Sequence, residues 1–296
     1  MSEPILQVKD LFIEFPGLER TVKAVRGVNL SVERGEIVGL VGESGSGKTM
    51  TAMACLGLVP PPGRVSGSIR LAGEEILGAP ESENERRRGK KAAMIFQNPG
   101  KALNPFFTIG RQLIDAIANV RRIDRKAAAA AAMEALNAVR IADPHLALQK
   151  YPHQVSGGQL QRAMIAMALA CEPEILIADE PTTALDVTIQ AQVIVLLRDL
   201  ARARGLTVVF ITHDLGVVGS LCDRLAVMYA GRIVEQGTTD AVFSAPAHPY
   251  TANLLKAVPM LGRGRVALTQ IPGTVPNMSN PPPGCAFHPR LSLIHI

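Results

Sequence analysis

Over the first 35 residues apolar and polar positions alternate in short runs. "ILQVK" and "VNLSV" read as short strands, with turns at "FPGLER" and "ERGE". "EIVGLV" (36–41) interrupts that alternation as a continuous apolar run of the buried-strand type, and "KTMTAMACLGL" follows it as a helix ended by "VPPPG". From about 98 to 160 the texture becomes helical, in "TIGRQLIDAIANV" and in "RKAAAAAAMEALNAVRI". Met133, Leu136, Val139 and Ile141 form an apolar stripe at helix spacing beyond the alanine run, so an ordered helix is predicted there rather than low complexity.

After 160 strand texture returns. "EILIAD" reads as a buried strand. "VTIQAQVIVLLRDLARARG" has apolar positions at 189, 193, 196, 197 and 200 and reads as an amphipathic helix closed by Gly205. "LTVVFIT" and "RLAVMYAGRIVEQG" are predicted strands, the latter turning back at Ala230-Gly231. Past about 240 proline increases and periodicity fades, as in an extension. Strands alternating with helices predict an α/β fold with a mostly parallel sheet.

Composition narrows the function classes. With 47% hydrophobic and 19% charged residues in 296, the balance is that of an ordinary globular protein of one or two domains. The formal net charge is +5, and the one basic cluster, "ERRRGKK" (85–91), is read as a solvated loop rather than a nucleic-acid patch. Aromatic residues, 4% and dispersed, offer no base-stacking platform. Cys55, Cys171, Cys222 and Cys285 stand far apart, which points to a reducing compartment and not to a disulfide framework. The opening "MSEPILQVKD" lacks the regions of a signal peptide, and the longest uncharged apolar run, "AMIAMALAC", is about half of what a bilayer span needs.

The chemistry concentrates in three places. "GESGSGKT" (42–49) matches the phosphate-loop pattern G-x-x-x-x-G-K-[ST], and it follows a predicted buried strand and opens a helix. Gly42, Glu43, Ser44, Gly45, Ser46, Gly47, Lys48, Thr49 and Met50 are assigned to the nucleotide on that basis. The glycines let backbone N–H groups turn toward phosphates, Lys48 reaches the outer phosphates and the Thr49 hydroxyl binds Mg²⁺. "ILIADE" ends a buried strand on Asp179, placed to hold Mg²⁺ directly or through water, followed by Glu180, the natural residue to orient and polarise an attacking water. Two adjacent carboxylates at a strand end are costly without a cation nearby. "SGGQ" (156–159) leads into "LQRAMIAMALA", so Ser156, Gly157, Gly158 and Gln159 stand at a helix amino end that attracts anions yet has no lysine. Two readings of that turn stay open from these residues: a plain cap by Ser156, or half of an anion site completed elsewhere.

Taken together, these motifs resemble the ATP-binding cassette (ABC) ATPases over nearly the whole chain. The family's motif set occurs in order: the phosphate loop at 42–49, Gln97 in "IFQNP", "VSGGQ" at 155–159, "ILIADE" at 175–180, "TALD" at 183–186 and His213 in "ITHD". Val155 replaces the family's usual leucine. The resemblance implies a P-loop NTPase core, with an N-terminal antiparallel β subdomain and an inserted α-helical subdomain at about 98–160. It divides the chain into an ATPase domain over 1–240 and a C-terminal extension over 241–296. It further implies head-to-tail pairing of two cassettes, in which the signature loop of one closes over ATP held by the other. In that arrangement Gln97 contacts Mg²⁺ and the attacking water, His213 contacts the γ-phosphate, Asp186 links the two sites and Phe15 stacks on adenine.

Three stretches resemble the dipeptide/oligopeptide/nickel importer branch more narrowly. They are "NPGKALNPFFTIG" (98–110), "IADEPTTALDVTIQAQV" (177–193), and the tail "HPYTANLLKAVP" with "IPGTVPNMSNPPPGCAFHPR". Members of this branch commonly carry further cysteines after the Cys285 position. This chain carries none there, so no iron–sulfur cluster is expected in it. The closing "LSLIHI" looks like translated adapter read-through, and the natural protein is expected to be longer.

The expectation is therefore an ATP-hydrolysing importer subunit, peripheral on the cytoplasmic face of a bacterial inner membrane. Its implied partners are two permease subunits, a second ABC ATPase (a second copy or a related chain) and, indirectly, an extracytoplasmic substrate-binding protein, with no nucleic acid. Two alternatives differ in class. DNA-repair and chromosome-structuring ATPases also use an SGG signature, and the basic balance lends them some support. They separate their halves by a long coiled coil, whereas here Ser156 follows Gln97 by 59 positions (156 − 97) without heptads. A non-hydrolysing regulatory cassette is the other, and Glu180 and His213 argue against it.

Overall fold

The computed structural model describes residues 3–183, 185–257 and 271–291. They fall into two compact units, one formed by residues 1–79 with 210–296 and the other by 80–209. Of the closing "LSLIHI", the residues from Ser292 onward lie outside the described residues, as does Ala184 of "TALD".

The first unit begins with β1 (Leu6–Pro16) and β2 (Thr21–Val32), an antiparallel pair of longer strands than the short runs predicted. The buried positions of β1 fall in two strand-spaced pairs, Leu6 with Val8 and Leu11 with Ile13. An irregularity at Asp10 (φ 44°) separates them, shifting the alternation by one residue and keeping one face in the core. β3 (Ile37–Val41) is buried at all five positions, as a continuous apolar run requires. α1 (Lys48–Ala54) is shorter than predicted. Leu56 and Gly57 donate to Met53 and Ala54 three residues back, and Gly57 turns left-handed at φ 63°, which ends the helix before the prolines. β4 (Arg64–Leu71) and β5 (Glu74–Glu75) complete an antiparallel sheet in the order β2-β1-β4-β5. This is the expected N-terminal β subdomain.

The second unit opens with α2 (Glu81–Arg87) and β6 (Ala92–Ile95). The basic cluster read as a solvated loop is part of this helix and its exit. Arg87 pairs with Glu83, Arg88 with Glu81 and Lys91 with Glu174, so neighbouring carboxylates take up its charge. Helices α3 (Pro99–Ala102), α4 (Ile109–Arg121), α5 (Arg125–Ala138), α6 (Pro144–Gln149) and α7 (Gly157–Ala170) realise the predicted helical stretch. The alanine run is ordered helix: Ala128, Ala132, Ala135 and Leu136 form the buried stripe, and their small side chains let α5 lie on α4 and α7. At 13 and 14 residues, α4 and α5 are far short of the coiled coil that a chromosome-structuring ATPase would need. β7 (Ile175–Asp179) pairs in parallel with β6 and is buried throughout, and α8 (Val187–Arg204) stops at Gly205, left-handed at φ 58°.

β8 (Thr207–Thr212) carries the chain back to the first unit, followed by α9 (Leu215–Leu221), β9 (Arg224–Tyr229) and β10 (Arg232–Thr238). β9 pairs in parallel with β3, and β9–β10 turn at Ala230-Gly231 with both φ angles positive. The extension is more structured than its fading periodicity suggested. It holds α10 (Thr239–Ser244) and α11 (Pro249–Lys256) and contributes Tyr250, Phe287 and Arg290 to the buried interior. Its core contacts come from isolated large side chains, which leave no period to detect. Among the described residues no helix is long and apolar enough to cross a membrane.

Candidate functional site

In the first unit, β3 delivers the chain into the phosphate loop. Two glycines are there by necessity. A Cβ on Gly42 (φ 151°) would stand 2.1 Å from the Met228 carbonyl oxygen, and one on Gly47 (φ 104°) 2.7 Å from that of Ala24. The loop closes with Ser46 N–H donating to the Glu43 carbonyl at 3.2 Å. Lys48, 5% exposed, donates from Nζ to the carbonyls of Gly42 at 2.7 Å and Glu43 at 2.8 Å. A buried ammonium inside a ring of backbone, with the exposed Ser44, Gly45 and Thr49 beside it, fits a phosphate chain and a Mg²⁺ ligand.

Glu43 is placed differently from the rest of the motif. Its N–H donates to the Tyr250 hydroxyl at 2.8 Å, and its carboxylate accepts from Arg290. Met50 is half-buried in α1. His213 lies exposed between β8 and α9, after Thr212, whose hydroxyl accepts from Asp214 N–H at 3.0 Å. Phe15 is half-buried near the end of β1, with its ring 2.9 Å from where a Cβ on Gly63 would stand.

In the second unit, β7 ends on Asp179, 3% exposed. Glu180 follows in the left-handed region at φ 44°, which costs a non-glycine residue on the order of 1 kcal/mol or more. Its Oε2 accepts from Gln97 Nε2 at 2.8 Å and from Thr183 Oγ1 at 2.8 Å. The structure thus joins Gln97, leaving β6, to the carboxylate leaving β7, and the parallel β6–β7 pairing sets their spacing. Thr183 was not among the predicted site residues. It stands three residues after Glu180, and that spacing was the available signal.

Ser156 caps α7. Its Oγ accepts from Gln159 N–H at 3.3 Å, and Gln159 Oε1 accepts from Ser156 N–H at 3.1 Å. The capping reading of "SGGQ" is therefore correct as local structure. It does not use up the turn: Ser156 and Gly157 are exposed, the serine hydroxyl keeps its proton to donate, and the first-turn N–H groups have no carbonyl four residues back. A Cβ on Gly158 would come within 2.9 Å of the Ile189 methyl, so glycine lets this helix start approach that of α8. Asp186 caps α8, accepting from Ile189 N–H at 2.9 Å.

The family model described as "ABC transporter" matches residues 25–183, and that of the "Oligopeptide/dipeptide transporter, C-terminal region" matches 234–292. The chain is 49% identical to the probable D,D-dipeptide transport ATP-binding protein DdpD of Escherichia coli, over 98% of this chain and 89% of that protein. It is 48% identical to the oligopeptide transport ATP-binding protein OppD of Bacillus subtilis, over 97% and 81%. Among solved structures it resembles the ATP-binding cassette MJ0796 in a dimeric post-hydrolysis state with ADP and Pi, at a TM-score of 0.72 and 28% identity over 79% of this chain and 98% of that one. A phosphate loop, a strand ending in Asp179-Glu180 and a signature turn, each on the element expected for it, place the chain in the ABC transporter family as an ATP-binding, ATP-hydrolysing cassette.

Proposed function

We propose that this chain is the ATPase subunit of a bacterial importer for dipeptides or oligopeptides, acting peripherally at the cytoplasmic face of the membrane with two permease subunits and a second cassette. The names of its relatives and the match to the oligopeptide/dipeptide C-terminal region support the cargo class. One observation carries the mechanism: a single chain holds a complete phosphate loop around a buried Lys48 and also an exposed helix start at Ser156-Gly157 whose motif has no lysine. Each is suited to phosphate, and the second is suited only to completing another chain's site.

In this reading Lys48 and the loop N–H groups hold the β- and γ-phosphates, and Phe15 stacks on adenine. Thr49, Asp179 and Gln97 would hold Mg²⁺, which would neutralise charge on the phosphate oxygens. Glu180 takes a proton from the attacking water, with Gln97 and Thr183 fixing the carboxylate's direction. His213 stabilises charge on the γ-phosphate. The signature turn of the partner cassette, Ser156 to Gln159, closes the opposite side, and Asp186 lies in the segment joining the two sites.

Glu180→Gln tests this directly. It keeps the hydrogen-bonding shape and removes the base. ATP binding is expected to persist, turnover to fall at least about a hundredfold, and ATP-bound dimers to accumulate in gel filtration. Undiminished steady-state hydrolysis by this variant would refute the assignment.

A further inference from the structure

We propose that Arg290 is a positioning residue for the phosphate loop, through which the C-terminal segment 271–290 governs nucleotide affinity. This rests on the phosphate-loop reading above and adds to it a part of the chain that the sequence motifs leave out.

Arg290 stands 247 positions from Glu43, yet it is 6% exposed and grips that carboxylate with both ends of its fork: Nη1 to Oε2 at 2.6 Å and Nη2 to Oε1 at 3.1 Å. Its Nε donates to the Pro272 carbonyl at 2.8 Å and Nη2 also to that of Ile271 at 3.3 Å, so the tail's two ends are tied to one guanidinium. Tyr229, Tyr250 and Phe287 form a buried aromatic cluster around it, with ring centroids 4.6 to 5.5 Å apart. Tyr250 reaches out of that cluster to accept from Glu43 N–H at 2.8 Å. A further tie, Lys23 N–H to the Met278 carbonyl at 3.0 Å, fastens the segment to β2.

Three links therefore meet at Glu43: Arg290 to its carboxylate, its backbone N–H to Tyr250, and its carbonyl to Lys48 Nζ at 2.8 Å. The residue that aims the lysine is held by the tail. Charge gives a second reason for the contact. An unpaired carboxylate in a phosphate loop repels its own ligand, and Arg290 offsets that charge. Burial alone would make the guanidinium less basic, but Glu43's hydrogen bonds and charge more than offset it, so the arginine stays charged at any physiological pH.

The test uses the full chain with Mg²⁺ and ATP. Arg290→Ala leaves a half-buried carboxylate unpaired and opens a gap in the aromatic cluster, which threatens folding. The informative variants are therefore Arg290→Lys, which keeps the charge without the fork, and Glu43→Gln, which keeps the shape without the charge. Each is expected to raise KM for ATP about tenfold with kcat within about twofold, and the double variant to be no worse than the worse single one. A melting temperature that falls while KM stays at the parental value, or effects that simply add, would overturn the proposal. Lys48→Ala separates the two ideas. If it weakens nucleotide binding while both tail variants bind like the parent, the tail proposal alone fails. If it too binds normally, the phosphate-loop reading fails and the tail proposal falls with it.

Discussion

In the proposed function two helix starts of the chain face phosphate, and they are finished in opposite ways. At the phosphate loop, Lys48 is buried, its partners are backbone carbonyls of the loop, and the aromatic tail braces Glu43 from behind. At the signature, Ser156 and Gly157 are exposed and the local hydrogen bonds are spent on a reciprocal cap with Gln159. One end is tuned to grip, with a charge sunk in the protein; the other is tuned to be met. If both serve phosphate as proposed, the second works only when another molecule meets it, so variants of the first should alter binding and variants of the second turnover.

The sharpest way to break this contrast is Ser156→Asp. Aspartate caps a helix as well as serine, so α7 should stay folded. Yet it places a negative charge where a partner's γ-phosphate is proposed to arrive, a repulsion of about 4 kcal/mol at 4 Å near a protein surface. Hydrolysis should drop about a thousandfold with nucleotide affinity of the isolated chain unchanged; parental turnover would reduce "SGGQ" to a cap. Lys48→Ala comes next. It removes a charge-assisted contact worth about 1.5–3 kcal/mol, so ATP should bind about 10- to 100-fold more weakly by titration. Tight binding would mean that the buried ammonium does not serve phosphate.

The two sites also differ in how far they could be read in the sequence. The phosphate loop was legible because glycine is required where the backbone must turn and where a neighbour leaves no room, as Gly42 and Gly47 confirm. The Asp179-Glu180 strand end was legible because five buried apolar or acidic positions in a row leave little else to form. What stayed hidden was contact at long sequence separation. Nothing local marks Arg290 as the partner of Glu43, or Tyr250 as a hydrogen-bond acceptor, although both lie in the two tail stretches that carried the branch resemblance. Periodicity likewise missed the tail's role, since a segment that buries one tyrosine, one phenylalanine and one arginine has no repeat. The early end of α1 escaped for a related reason, because Gly57 and not the following prolines sets it.

Thr183→Ala should act on the turnover side with a smaller amplitude. Thr183 is exposed and gives Glu180 one hydrogen bond, worth about 1 kcal/mol. The expected result is a kcat lower by about fivefold with KM unmoved, restored by Thr183→Ser. A change in KM instead would place Thr183 with the gripping side and blur the contrast.

The smallest effect concerns pH and should appear on the gripping side alone. His248 caps α11 by accepting Tyr250 N–H on Nδ1 at 3.1 Å, which requires an unprotonated nitrogen. Burial lowers its pKa below the usual histidine value; the nearby negative charge of the Glu235 carboxylate, which accepts from the His248 backbone N–H, pulls the other way without reversing it. The unfolded chain then binds the proton more readily, so this cap's stabilisation is present above about pH 6.5 and lost as pH falls below it. A helix cap is worth about 1 kcal/mol, which bounds the loss. Since Tyr250 also holds Glu43 N–H, nucleotide affinity should weaken slightly between pH 6.5 and 5.5 in the parent. His248→Asn keeps a capping oxygen that does not titrate, and it should flatten that slope. An unchanged slope in His248→Asn would show that the tail's hold on the loop does not pass through this cap.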